Sequence, residues 1–314
     1  MTIYTSNIVI QNFIQNQKKE LPSNLRTQKM VSKNEMQFTS VASFAAKNYA
    51  IPLISFGSLN KQNLVTQVNK LVEKYSQGEN PIIIKIKPDF ISKLVGKIET
   101  NDSIILGVTG ESASGKTFLL KVTENNFVKR NSKKLIALLQ GDDFYYDTSQ
   151  RIRTEGLEAM FKTGFSFDAP EAVELSRIKK VFEGLVNGKT IKVPSYDFST
   201  GERTPNAKTV SPAKFILLDS IFALDKELEP LLTGGIFVKS SQQTMKKRFF
   251  ERALTERKRT LEAAKLQFMN VTSKAKQHIL PKEENADLIL NGEADIDTIN
   301  NFYRDLFAIV SGST

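Results

Sequence analysis

Residues Gly110 to Thr117 read G-E-S-A-S-G-K-T, and they meet the spacing G-x-x-x-x-G-K-[ST] at every fixed position. The chemistry explains the spacing. Gly110 and Gly115 allow backbone conformations that a Cβ disfavours. The N–H groups of Glu111, Ser112, Ala113 and Ser114 can then turn inward and cradle phosphate oxygens. Lys116 brings a cation to the β- and γ-phosphates of a nucleoside triphosphate, and Thr117 offers a hydroxyl to Mg²⁺. A helix opening at Thr117 presents an N-terminus that favours anions, with Phe118 as the next expected nucleotide contact.

The surroundings suit the loop. Ser103 to Val108 is a short apolar run of the kind a buried parallel strand shows, and Thr117 to Val128 can be helical. Strand, glycine loop and helix are the context that the motif requires. Taken alone, the loop specifies nucleotide binding and leaves the reaction open.

The chain has 314 residues, 40% hydrophobic and 25% charged, which is ordinary for a globular protein. No apolar run approaches the roughly 20 residues that span a bilayer. The first residues lack a basic start followed by an apolar core, so no secretory signal is expected. Arg26 is the only arginine among residues 1–100, which argues against a mitochondrial leader, and a cytoplasmic location is the default. The absence of cysteine excludes disulfides and thiol catalysis.

The net charge is +10, and residues 1–100 carry 13 Lys and Arg against 6 Asp and Glu. That segment could meet nucleic acid or another anionic surface. Its lysines are scattered rather than massed, which favours an ordinary solvated surface. Residues 1–50 are rich in Asn, Gln, Lys and Ser, with a short helix expected over Thr5 to Gln15. Helical stripes follow at Asn63 to Tyr75 and Asp89 to Ile98, around a β-prone run from Pro81 to Lys87. A boundary is expected near residue 100, separating a basic N-terminal extension (1–100) from a nucleotide-binding domain (101–314).

Beyond that boundary, strand and helix patterns alternate. Apolar runs at Leu135–Leu139, Phe215–Leu218, Gly235–Lys239 and Ala286–Leu290 read as strands. Glu171–Val186 and Ile296–Ile309 read as helices, Thr190–Phe198 as extended chain, and Gln243 to about Phe268 as one long charged helix. The alternation predicts an α/β fold with a mostly parallel sheet covered by helices on both faces. Ligands in such sheets gather at strand carboxyl ends, where the glycine loop, Asp142/Asp143 and Asp219 fall. Asp142 and Asp143 suit base or metal duty, although Gly-Asp-Asp also suits a turn that caps the next helix. Asp219 suits a metal-linked role, or a cap.

These blocks together resemble the uridine kinase and phosphoribulokinase family of phosphate-loop kinases, most closely its uridine kinases, from about Ser103 to Gly292. Gly141-Asp142-Asp143-Phe144-Tyr145 resembles the family's D-S-F-Y segment, which implies Asp142 as the acceptor-activating base and Tyr145 in the acceptor pocket. Phe167-Asp168-Ala169-Pro170 resembles F-D-H-P, which implies that Asp168 grips sugar hydroxyls. Val193 to Phe198 resembles the P-x-Y-D-F strand, which implies Tyr196 and Phe198 beside a nucleobase. Leu218-Asp219-Ser220 resembles the acidic strand linked to Mg²⁺, with Thr117, Asp219 and Asp143 as the expected metal set. Glu256-Arg257-Lys258-Arg259 resembles the E-R-G-R of a lid helix. This implies Arg252 and Arg257, with Lys116, as catalytic cations, Arg252 also touching the acceptor, and Arg259 closing over the nucleotide.

The resemblance implies ATP and Mg²⁺ as cofactors, a small-molecule acceptor and self-association. It implies transfer of the γ-phosphoryl group to a hydroxyl, with uridine or cytidine as the leading acceptor. The sequence also departs from the family. Gly201 stands where uridine kinases place a histidine, Asp219 and Ser220 replace glutamate and glycine, and Phe249 interrupts the basic run of the lid. Acceptors like those of phosphoribulokinase, pantothenate kinase or glycerate kinase are the alternative. A non-catalytic ATP-binding regulator is a third reading.

Overall fold

The computed structural model describes residues 61–100, 102–130 and 133–311. The helix expected over Thr5 to Gln15 lies outside the described residues. Among the described residues, eight strands form two sheets. The main sheet contains β1 (Ile83–Ile86), β2 (Ile104–Thr109), β3 (Ile136–Gln140), β6 (Phe215–Asp219), β7 (Gly234–Lys239) and β8 (Leu288–Asn291), in the order β1-β8-β7-β2-β6-β3. All its pairs are parallel except β1 with β8. The second sheet is an antiparallel hairpin of β4 (Ile191–Asp197) and β5 (Glu202–Val210).

The parallel strands are apolar up to their last residues because both faces are covered. On β6, Ile216 and Leu218 face one core while Leu217 faces the other. The first core receives α6 (Leu175–Val186) through Ile178, Val181, Phe182 and Leu185, together with Phe144, Phe167 and Phe222. The second receives α1 (Lys61–Tyr75), α2 (Phe90–Glu99), α3 (Lys116–Lys129) and α9 (Ile296–Ser311). The boundary expected near residue 100 falls between α2 and β2. Yet β1 already pairs with β8, and α1 packs on α9.

Two short helices, α4 (Ser149–Glu155) and α5 (Leu157–Lys162), follow β3. The helix expected from Glu171 begins at Leu175, because Pro170–Ala172 forms a 3₁₀ turn first. The long helix expected from Gln243 is two helices, α7 (Gln242–Thr255) and α8 (Leu261–His278). Between them Lys258 takes φ 51, which a helix cannot continue. Thr260 then caps α8 by accepting from the Ala263 N–H.

Register aligns the functional ends of the sheet. Asp219 lies opposite Val108 on one side and Gln140 on the other. The glycine loop, Asp219 and Asp142 therefore emerge at one level. Gly141 permits this closeness. A Cβ there would lie 3.1 Å from the Asp219 carbonyl oxygen and would collide with Ser220.

Candidate active site

The loop takes the shape its sequence predicts. Gly110 and Gly115 have φ 140 and 102, and Ala113 between them has φ 67. A Cβ on Gly115 would sit 2.6 Å from the Gly292 carbonyl oxygen, and one on Gly110 would strike the Val238 carbonyl. Both glycines thus serve conformation and close approach together. Lys116 is buried, and its Nζ donates to the carbonyls of Gly110 at 2.8 Å and Glu111 at 2.9 Å. Burial lowers its pKa, and the carboxylates of Asp219, Asp142 and Asp168 oppose that shift. One buried ammonium therefore faces three acids.

Thr117 Oγ1 donates to Asp219 Oδ2 at 2.6 Å. Burial raises the pKa of Asp219, while Lys116 and the Thr117 hydroxyl lower it. Among the described residues no cluster of three or more acidic or histidine side chains could hold a metal by itself. A hydroxyl and a carboxylate are hard oxygen donors that suit Mg²⁺ when phosphate oxygens complete the shell. Thr117 and Asp219 fit that arrangement. Asp143, expected in the same set, does not join them. Both its oxygens accept from Lys208 Nζ at 2.7 Å, which ties β5 to the end of β3.

Asp142 is exposed in a cleft of about 550 Å³ that is also lined by Thr117, Phe118, Lys121, Phe198, Arg252 and Arg257. This placement unites the expected base, the loop helix and two lid arginines. Arg257 is half-buried, with its guanidinium 4.0 Å from the Phe198 ring centroid. Burial, and then Arg252, push its pKa down to about 10.

Beside the cleft lies an aromatic cluster. Tyr145 stands 5.5 Å from Phe167, 5.5 Å from Tyr196 and 5.3 Å from Phe198, measured between ring centroids. Tyr145 is buried, and burial first, then Asp142 and Asp168, raise its pKa well above the usual value. The Tyr196 hydroxyl pairs with Thr148 Oγ1 at 2.6 Å. Asp168 is buried in this setting, with Ser112 Oγ 3.5 Å from its Oδ1 and no partner for its Oδ2. Burial pushes its pKa up to about 6, against the pull of Lys116, Ser112 and Arg252.

Arg259, expected over the nucleotide, packs against the aromatic cluster. Its guanidinium lies 5.5 Å from the Phe161 ring and 5.7 Å from the Phe167 ring. The turn at Lys258 sends Arg257 and Arg259 to different places. Arg259 is buried, none of its side-chain nitrogens has a hydrogen-bond partner, and burial, then Arg257 and Arg252, lower its pKa to about 9. A buried guanidinium without acceptors is costly and marks a place where a ligand's acceptor atoms fit.

Two side chains escaped the sequence reading. Lys121 lines the cleft one turn after Thr117. Gln267 is buried on the inner stripe of α8 among Ala263, Ala264 and Val271, with an unpartnered Oε1. Three residues on, the Asn270 amide donates to the carbonyls of Phe161 and Phe165 in the same cluster. A glutamine on an otherwise apolar stripe was the available signal. Gly201, at the histidine position, has φ 73, and a Cβ there would lie 2.5 Å from Thr148 Oγ1 and strike Ile152. The departure from the family is therefore built into the turn.

The model of the phosphoribulokinase / uridine kinase family matches residues 105–298, more than half of the chain. A uridine kinase of Vibrio campbellii is 29% identical over 61% of this chain and 88% of its own length. A uridine kinase of Staphylococcus epidermidis is 31% identical over 60% of this chain and 88% of its own. Uridine-cytidine kinase 2-B of Danio rerio is 28% identical over 66% of this chain and 80% of its own. The chain belongs to the phosphoribulokinase / uridine kinase family and is an ATP-dependent kinase.

Proposed function

We propose that this chain transfers the γ-phosphoryl group of ATP to the 5′-hydroxyl of a pyrimidine nucleoside, uridine or cytidine, with Mg²⁺ as cofactor. The observation that carries this reading is the presence, around the Phe167 ring, of a buried carboxylate with an unpartnered oxygen (Asp168) and a buried guanidinium with unpartnered donors (Arg259). A nucleoside answers both. Its ribose hydroxyls donate to Asp168, and the carbonyl and ring nitrogen acceptors of its base answer Arg259. The rings of Tyr145, Tyr196 and Phe198 suit a flat heterocycle.

Phosphoryl transfer rests mainly on positioning and charge neutralisation. Asp142 accepts the acceptor's hydroxyl proton as that oxygen bonds to the γ-phosphorus and the bond to the leaving oxygen breaks. Lys116, Arg252 and Arg257 stabilise the charge that spreads over the transferred group. Thr117 and Asp219 would hold Mg²⁺, which neutralises phosphate charge. The 256–260 turn brings the lid arginines over the cleft and limits water.

A second reading has one specific observation in its favour. At Gly201 no side chain can replace the family histidine, so another hydroxyl acceptor could be preferred. ADP release from ATP and Mg²⁺ across uridine, cytidine, ribulose 5-phosphate, pantothenate and glycerate tests both. Stimulation by uridine or cytidine supports the first reading. Stimulation by one of the others alone overturns it in favour of the second.

A further inference from the structure

Asp142 and Asp143 are consecutive, and the 3₁₀ turn Gly141–Phe144 gives them different surroundings. Asp142 is exposed in the cleft, whereas Asp143 is buried. A buried carboxylate requires partners. Those of Asp143 come from the β4–β5 hairpin. Lys208 Nζ on β5 donates to both carboxylate oxygens at 2.7 Å, and the Tyr196 backbone N–H on β4 donates as well. Lys208 Nζ also lies 3.3 Å from Gln140 Oε1, at the end of β3. One carboxylate thus holds both strands of the hairpin against the turn that carries Asp142.

The hairpin depends on such polar ties. β5 is exposed along most of its length, so apolar packing does little to fix it. On β4 the register shifts between Val193 and Ser195, where Pro194 has no N–H to give to the ladder. Tyr196 lies just beyond that irregularity. Two ion pairs anchor β5 to the body of the domain. Arg203, opposite Tyr196, pairs with Glu174 and gives its backbone N–H to Asp147 Oδ2 at 2.8 Å. Lys208, opposite Val193, pairs with Asp143. The residue next to Asp142 therefore holds the hairpin that carries the Tyr196 and Phe198 rings.

We propose that Asp143 and Lys208 are positioning residues, whose ion pair sets the Tyr196 and Phe198 rings relative to Asp142 so that a seated acceptor presents its hydroxyl to the base. This inference rests on the reading of Asp142 as the base and of those rings as acceptor contacts. Alignment of this kind matters, because a misplacement of about 1 Å can cost on the order of 10²-fold in rate. The pair is also asymmetric. Loss of Lys208 strands a buried carboxylate, which is costly. Loss of the Asp143 charge leaves a lysine whose side chain is already 46% exposed and can be solvated.

Steady-state kinetics of the full chain, with whichever acceptor the wild type phosphorylates, test the pair. Lys208→Met should lower kcat/KM for the acceptor about 10- to 100-fold, chiefly through a raised acceptor KM, with KM for ATP within about twofold of wild type. Lys208→Gln replaces it if that variant folds poorly. Lys208→Arg keeps the cation and should keep most of the activity. Adding Asp143→Asn to Lys208→Met should recover part of the loss, because no buried charge then lacks a partner. Hydrogen exchange reads the hairpin without turnover. In Lys208→Met the amides of residues 191–203 should exchange faster, and those of the 110–117 loop at the wild-type rate. Unchanged acceptor kinetics, unchanged hairpin exchange, equal losses for ATP and acceptor, or no recovery in the double variant would overturn the assignment. A wild type that uses only a non-nucleoside acceptor would overturn the nucleoside reading instead, and the same variants measured with that acceptor decide this one.

Discussion

The guanidinium of Arg257 lies 4.0 Å from the centroid of the Phe198 ring, so the turn after α7 and the β4–β5 hairpin meet at a cation–π contact in the wall of the cleft that Asp142 also lines. Contacts of this kind contribute about 0.5–2 kcal/mol. Phe198→Leu should therefore lower kcat/KM for the acceptor by about 3- to 30-fold. A less firmly seated lid should also admit water, raising ADP release in the absence of acceptor. Steady-state assays with and without acceptor measure both. Unchanged acceptor kinetics in the variant would remove the contact from the closing mechanism.

Arg259 combines burial with unpartnered donors, an arrangement that costs stability when no ligand is present. Arg259→Met should raise the Tm of the free protein, because an apolar side chain of similar length suits the Phe161 and Phe167 rings. The same change should reduce kcat/KM for the acceptor about 10- to 100-fold, the range of a hydrogen bond to a charged group. A variant that gains stability and keeps its acceptor kinetics would show that Arg259 does not read the substrate.

The pKa of Asp168, raised by burial to about 6, gives a pH dependence with a definite sign. The carboxylate form accepts hydroxyl hydrogen bonds, so kcat/KM for the acceptor should fall as pH drops through about 6. Asp168→Asn should bind the acceptor poorly and lack that limb. Stability runs the other way. The folded state holds the proton more tightly than the unfolded chain, whose ordinary value is 3.8, so Asp168 costs the free protein stability as pH rises from about 4 to 6. Above that window the cost is on the order of 2–3 kcal/mol. Asp168→Asn should therefore melt higher than the wild type at pH 7.5 and no higher at pH 3.5.

Gly201 should not tolerate the family histidine. A side chain at φ 73 is strained, and the space is taken by Thr148 and Ile152. Gly201→Ala is expected to cost about 1 kcal/mol or more, and Gly201→His to cost more, visible as a lowered Tm. A histidine variant with wild-type Tm and improved uridine kinetics would show that the turn can adapt.

Much of the fold was legible because the parallel strands are short apolar runs, two of which close on the glycine loop and on Asp219. That pattern at Ile104–Thr109 and Phe215–Asp219 placed Lys116, Thr117 and Asp219 together in advance. Less was legible where pairing is distant or the signal is polar. β1 read as β-prone, but its partner β8 lies about 200 residues away, so the sequence did not show it joining the sheet. β5 is exposed along most of its length and contains Pro205, so it carried no apolar alternation. The break at residues 256–260 is hidden in a run of good helix formers, with Thr260 as the one cap signal. That break sends Arg257 to the Phe198 ring and Arg259 to the Phe161 and Phe167 rings, a divergence that the sequence does not show. Asp143 was grouped with the metal set because spacing alone cannot show that Lys208 reaches it.

The central claim is that Asp142 takes the proton of an acceptor hydroxyl beside the Lys116, Thr117 and Asp219 cluster. Direct detection of phosphorylated product from ATP, Mg²⁺ and uridine or cytidine, in the wild type and in Asp142→Asn, tests it most directly. The account predicts nucleoside 5′-monophosphate with the wild type. In the variant kcat should fall by about 10²- to 10⁴-fold, with ATP binding retained. Product formed at the wild-type rate by Asp142→Asn would contradict the account.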